Sequence, residues 1–220
     1  MKIAKEKLLL YAVTDRAWTG EKTLEEQIEE TLEAGTTFLQ LREKHLSKEE
    51  FLKEAKQVKK ITEKYNVPLI INDNVEVAVE SGADGVHVGQ SDMEAGNVRA
   101  ILGADKILGV TAKTVEQAKL AEERGADYLG VGTVFPTSTK PDALAITMDT
   151  LRDICKAVSI PVVAIGGITK DNISMFEGTG VDGVALVSAI FGQRDIAEAT
   201  KDMKERSRKV VESGKNTDKG

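Results

Sequence analysis

The sequence predicts an α/β fold, a (β/α)8 TIM barrel in a single domain, and three observations carry that expectation. Short apolar runs alternate eight times with charged amphipathic stretches, the pattern of parallel strands joined by helical crossovers. Glycine-led triplets recur before every second run: Gly35-Thr36-Thr37, Gly82-Ala83-Asp84, Gly125-Ala126-Asp127 and Gly180-Val181-Asp182. Polar residues collect directly after the runs, at the strand ends where a barrel keeps its chemistry. A doubly wound open sheet is the alternative, but it more often has fewer strands and one dominant glycine-rich turn.

The eight runs are Leu8–Val13, Phe38–Leu41, Leu69–Ile71, Val86–Val88, Ile107–Val110, Tyr128–Val131, Val162–Ile165 and Val184–Val187. Between the second and third, Phe51, Leu52, Ala55, Val58, Ile61 and Tyr65 form the apolar stripe of a helix. Each triplet glycine suits the left-handed position that ends a helix. The third and seventh runs are entered through Val67-Pro68 and Ile160-Pro161, with proline at the first strand position. The barrel is expected over residues 1–204, and the charged stretch 205–220 is expected to fray.

Composition narrows the function. The chain has 220 residues, 41% of them hydrophobic and 30% charged, with a net charge of −6. That balance disfavours nucleic-acid binding, which calls for a basic face. The N-terminus carries no signal-peptide pattern and no apolar stretch has membrane-spanning length, so a soluble, cytoplasmic protein is expected. The single cysteine, Cys155, shares a helical face with Met148, Leu151, Ile154 and Val158 and reads as a packed residue rather than a nucleophile.

The strand ends supply the chemistry. After the first run stands Thr14-Asp15-Arg16; after the second, Gln40-Leu41-Arg42-Glu43-Lys44; after the third, Asn72-Asp73-Asn74. Gly89-Gln90-Ser91-Asp92 and Thr111-Ala112-Lys113 follow the fourth and fifth. Arg42, Lys44 and Lys140 face two carboxylates, Asp73 and Asp92, a set suited to a diphosphate and Mg2+; the plainer reading is salt bridges, Arg42–Asp73 and Lys44–Asp92. The loop Thr137-Ser138-Thr139-Lys140 offers hydroxyls and an ammonium to an anion. Gly166-Gly167, with Val187 and Ser188 opening the last helix, suits a smaller phosphate. His45 reads as an anion contact or a surface residue, and His87 as a structural or supporting residue rather than a general base.

Taken together, Gln40-Leu41-Arg42-Glu43-Lys44, Asn72-Asp73, Gly85-Val86-His87-Val88-Gly89-Gln90 with Asp92, Pro136-Thr137-Ser138-Thr139-Lys140 and Ala164-Ile165-Gly166-Gly167-Ile168 resemble the thiamine-phosphate synthase family, from about Leu10 to Gly192. The resemblance implies condensation of a hydroxymethylpyrimidine diphosphate with a thiazole phosphate, releasing pyrophosphate by a dissociative route. It implies that Gln40, Leu41, Arg42, Glu43, Lys44, Asn72, Thr111 and Lys140 hold the pyrimidine diphosphate. Arg42, Lys44 and Lys140 would stabilise the leaving group. Thr137, Ser138, Thr139, Gly167, Val187 and Ser188 would hold the thiazole phosphate, and Asp73 and Asp92 one Mg2+ ion per subunit. Thr111 stands where the family commonly has serine. The expected partners are the two small molecules, with no nucleic acid and no membrane, and homo-oligomerisation is left open. The rivals are a thiazole tautomerase and a non-catalytic barrel that binds a phosphate ligand.

Overall fold

In the computed structural model, which describes residues 3–90, 98–137 and 145–215, eight parallel strands close into a barrel in sequence order. They are β1 (Leu10–Val13), β2 (Phe38–Leu41), β3 (Leu69–Asn72), β4 (Gly85–Val88), β5 (Ile107–Ala112), β6 (Tyr128–Val131), β7 (Val162–Ile165) and β8 (Gly183–Leu186). The β1–β8 pairing completes the ring. The first apolar run is shorter as a strand than expected, because Lys5–Leu8 is a 3-10 turn that places Leu8 beneath the barrel. The two prolines lie one residue before β3 and β7; their carbonyls accept from Leu39 and Leu129 N–H, so the missing proline N–H removes nothing from the ladder.

Strand alternation splits the core in two. One set, including Leu10, Leu39, Leu41, Val86, Val110 and Leu186, faces the helices. The other, with Tyr11, Phe38, Ile70, Ile107, Tyr128 and Val163, fills the barrel interior. This period of two decides which side chains of each strand can reach a ligand at the mouth.

The outer helices among the described residues are α1 (Leu24–Ala34), α2 (Lys48–Lys64), α3 (Val75–Glu80), α4 (Val98–Leu102), α5 (Val115–Glu123), α6 (Met148–Ala157), α7 (Ser188–Phe191) and α8 (Ile196–Lys215). Helices α1 and α2 both start with a complete capping box, Thr23 with Glu26 and Ser47 with Glu50, which pairs N–H groups the first turn leaves open. Beyond residue 204 the chain is the tail of helix α8. The helix continues to Lys215 because Ser207 and Val210 are buried against the barrel. No helix among the described residues is long and apolar enough to cross a membrane.

The recurrent triplets have a mechanical role. The side chain that ends each triplet accepts an N–H from the start of the preceding odd strand: Thr37 from Leu10 (2.9 Å), Asp84 from Leu69 (2.7 Å), Asp127 from Leu108, the second residue of β5 (2.9 Å), and Asp182 from Val162 (3.0 Å). Each carboxylate is paired in turn, Asp84 with Lys59, Asp127 with Arg99 and Asp182 with Lys5. The glycines Gly35, Gly82, Gly125 and Gly180 all have positive φ, the conformation that turns the chain back toward the strand.

Candidate active site

The strand C-termini surround a cavity of about 620 Å³, within the usual range for a small-molecule site. Its cationic wall comes from β2 and the loop after it. Gln40, Arg42 and Lys44 line the cavity, whereas Leu41 and Glu43 do not. Alternation turns the Leu41 side chain into the helix-facing core and the Glu43 side chain toward Arg16 and α2.

Arg42 is anchored from two sides. Its backbone N–H donates to the buried Thr14 hydroxyl, and its Nη1 donates to Asp15 Oδ2, each at 3.0 Å. Its ion-pair partner is therefore Asp15 rather than Asp73, and the guanidinium stays at the cavity edge. One residue along each loop, on the outer face, Arg16 Nε meets Glu43 Oε1 at 2.9 Å, and Arg16 Nη2 bonds the Glu54 carboxylate from α2. Two carboxylates share one guanidinium here. Burial, and then the neighbouring Glu43 charge, push the Glu54 carboxyl up to about 7.

The next wall holds Asn72 and Asp73 at the end of β3. Asn72 Nδ2 donates to Asp73 Oδ2 at 2.7 Å, and Asp73 adopts a positive φ of 62°. Asp73 is the one carboxylate among the described lining residues. No group of three or more His, Cys, Asp or Glu that could hold a metal lies among the described residues. The Asp73 carboxylate at the cavity wall is the donor type Mg2+ takes, one or two carboxylates with substrate phosphate and water completing the shell. Asp92, Ser138, Thr139 and Lys140 lie outside the described residues.

Across the cavity stand Thr137, Gly166, Gly167, Val187 and Ser188. Gly167 has φ of 65°, and a Cβ there would lie 2.4 Å from the Pro136 carbonyl oxygen. Only glycine lets the loop after β7 seat against the loop after β6. Ser188 opens the single-turn helix α7.

The floor is a hydrogen-bonded chain. Gln40 Nε2 donates to Tyr11 Oη (2.5 Å), Tyr11 meets Tyr128 hydroxyl to hydroxyl (2.8 Å), Tyr128 meets His87 Nδ1 (3.0 Å), and His87 Nε2 meets Thr111 Oγ1 (3.0 Å). His87 thus points into the barrel, while His45 is exposed outside the cavity. Gln90 fixes the Thr111 carbonyl. Tyr11 and Gln117 are lining residues that the sequence did not single out, and Lys113 was noted there only as a polar strand end. The inward register set by Gln40 on β2, carried to β1 through strand pairing, is the signal that would have found Tyr11. Cys155 is far from this chemistry, and burial pushes its thiol up to about 12, which leaves it inert near neutral pH.

This chain is similar, over residues 10–190, to a family described as thiamine monophosphate synthase. A thiamine-phosphate synthase of Clostridium botulinum is 52% identical over 201 residues, covering 91% of this chain and 94% of that one. One of Ruminiclostridium cellulolyticum is 53% identical over 196 residues, covering 89% and 93%. The solved structure of thiamine phosphate pyrophosphorylase from Pyrococcus furiosus superposes with a TM-score of 0.86 at 40% identity, covering 94% and 98%.

Proposed function

We propose a function from one premise: the chain belongs to the thiamine monophosphate synthase family. It is accordingly an enzyme of the transferase class, a thiamine-phosphate synthase. The finer reading is a Mg2+-dependent condensation of 4-amino-2-methyl-5-(diphosphooxymethyl)pyrimidine with 4-methyl-5-(2-phosphooxyethyl)thiazole, or its carboxylated form, in the cytoplasm. The observation that supports it best is the division of one cavity into a cationic wall, Arg42 and Lys44 with Asp73, and a glycine-opened wall, Gly166-Gly167 with Ser188.

Arg42, Lys44 and Lys140 would receive the diphosphate. As the methylene carbon–oxygen bond breaks, its electron pair leaves with pyrophosphate, and these fixed charges stabilise the developing negative charge. Bound Mg2+, held by Asp73 and Asp92, would supply further charge neutralisation at the same oxygens. The opposite wall, with Thr137, Gly167, Val187 and Ser188, together with Ser138 and Thr139 by family resemblance, would hold the second phosphate so that the thiazole nitrogen lone pair forms the new carbon–nitrogen bond in line. No strong base is required. Both ring nitrogens of His87 are engaged within the floor, which favours the synthase over a tautomerase.

The test is pyrophosphate release by purified protein given both substrates, with Mg2+ and with the metal chelated, beside Asp73→Ala and Asp92→Ala. Release that needs both substrates and the metal, with thiamine phosphate as product and at least a hundredfold loss in the variants (about 2.7 kcal/mol of barrel-mouth stabilisation), supports the reading. Binding of the thiazole phosphate without any pyrophosphate overturns it.

A further inference from the structure

The chain under the cavity has a direction. Gln40 uses an amide N–H on Tyr11, so its carbonyl oxygen is left as the acceptor for the cavity side. Both the hydroxyl–hydroxyl contact and the Tyr128–His87 contact accommodate either donor; with Tyr11 accepting from Gln40, the arrangement that leaves no buried hydroxyl proton unpaired has Tyr11 donate to Tyr128 and Tyr128 donate to His87 Nδ1. In that arrangement the Nε2 tautomer of His87 donates to Thr111 Oγ1 across their 3.0 Å contact, which leaves the Thr111 hydroxyl proton for the cavity it lines. Each hydroxyl has one proton to give and two lone pairs, so reversing the bond between the two tyrosines while Gln40 still donates leaves the Tyr11 proton buried without an acceptor.

We infer that Tyr11, Tyr128 and His87 are positioning residues whose directed chain fixes Gln40 as an acceptor and Thr111 as a donor, so that the site selects a 4-aminopyrimidine over its 4-oxo counterpart. This rests on the synthase reading for the substrate. A 4-amino group presents N–H to an acceptor and a ring nitrogen lone pair to a donor. A 4-oxopyrimidine presents the opposite: a carbonyl oxygen and a ring N–H.

Four further observations support the rigidity this needs. Tyr11 and Tyr128 are almost wholly buried, at 2% and 0% exposure, so no water competes for their protons. Burial also raises both phenols well above the ordinary tyrosine value, which keeps each a donor. The rings occupy space that the sequence keeps clear: a Cβ on Gly109 would lie 2.2 Å from Tyr128 Cζ, and one on Gly130 would lie 2.9 Å from His87 Cε1. Edge contacts of Phe38 with Tyr11 and Tyr128 at 4.7 and 5.6 Å hold the rings in place. In such a site a ligand of the wrong polarity leaves buried groups unpaired.

The experiment compares the amino and oxo pyrimidine diphosphates in the wild type, Tyr11→Phe and Tyr128→Phe, reading both kcat/KM and the calorimetric dissociation constant of each diphosphate without thiazole phosphate. The wild type is expected to prefer the amino form by about 10^4-fold. Both variants are expected to reduce that ratio at least tenfold with KM for the thiazole phosphate unchanged. Phenylalanine keeps the ring volume, and a thermal melt verifies folding of each variant; because either end of the chain reads the effect, loss of one variant leaves the other. A ratio within threefold of wild type in a folded variant overturns the inference. If discrimination appears in binding and collapses in the variants while no pyrophosphate is ever released, the polarity inference stands and the synthase reading falls.

Discussion

Glu43 and Glu54 show how far a single residue can depart from the role its neighbours imply. Glu43 sits between two cavity-facing cations, yet alternation sends it to Arg16 and the α2 carboxylate. The motif was legible in the sequence; the direction of its middle members follows only once the strand register is applied. The Arg16–Glu54 bond spans 38 residues, and nothing local in either segment announces it. Glu54 carries a pH dependence whose sign is fixed. Its folded value is raised from 4.5 to about 7, so the folded state binds the extra proton and the group's stabilisation is complete below about 4.5 and lost as pH rises through about 7. Glu54→Gln makes the neutral form permanent. Its melting temperature is therefore expected to exceed that of wild type at pH 8.5 and to converge with it near pH 5; an unchanged slope across pH 5–9 would contradict the assignment.

At the scale of elements, the strands were readable because short apolar runs with β-branched residues leave few alternatives. Boundaries moved by one or two residues at β1, β3, β4, β5 and β8, at β1 because of the 3-10 turn before it. The helix end at Lys215 was harder to place because the charged residues after 204 conceal Ser207 and Val210, which are spaced to face the barrel. The triplet aspartates could be seen as a repeat, but not as clamps on a strand that lies earlier in the chain. Asp127 illustrates their weight. Its Oδ2 receives Leu108 N–H and Arg99 Nη2, while the same guanidinium also holds the Gly103, Lys106 and Gly125 carbonyls. Asp127→Ala leaves a strand N–H and an arginine without that acceptor and is expected to cost about 1–3 kcal/mol in urea unfolding. Asp127→Asn keeps an acceptor for Leu108 and should recover part of it. Neither change should alter kcat, since Asp127 lies at the opposite end of its strand pair from the cavity.

For the whole molecule, the closed order of strands is what converts scattered motifs into one site: residues from Gln40 to Ser188 share a cavity only because β8 returns to β1. The polar strand ends made that mouth legible. The chain beneath it was not, because Tyr11 and Tyr128 read as ordinary core residues until ring closure sets their hydroxyls 2.8 Å apart across 117 residues. The four clamps carry a consequence for how the polypeptide can be rewired. Each fastens an odd strand to the segment entering the next even strand, so side-chain staples group the strands into four pairs within a ring whose backbone pairing is continuous. A circular permutant opened between pairs, within residues 103–105, which are exposed, should fold cooperatively and retain catalysis. One opened at Gly125-Ala126, inside a pair, should lose both; equal behaviour of the two permutants would show that the pairs are decoration rather than assembly units.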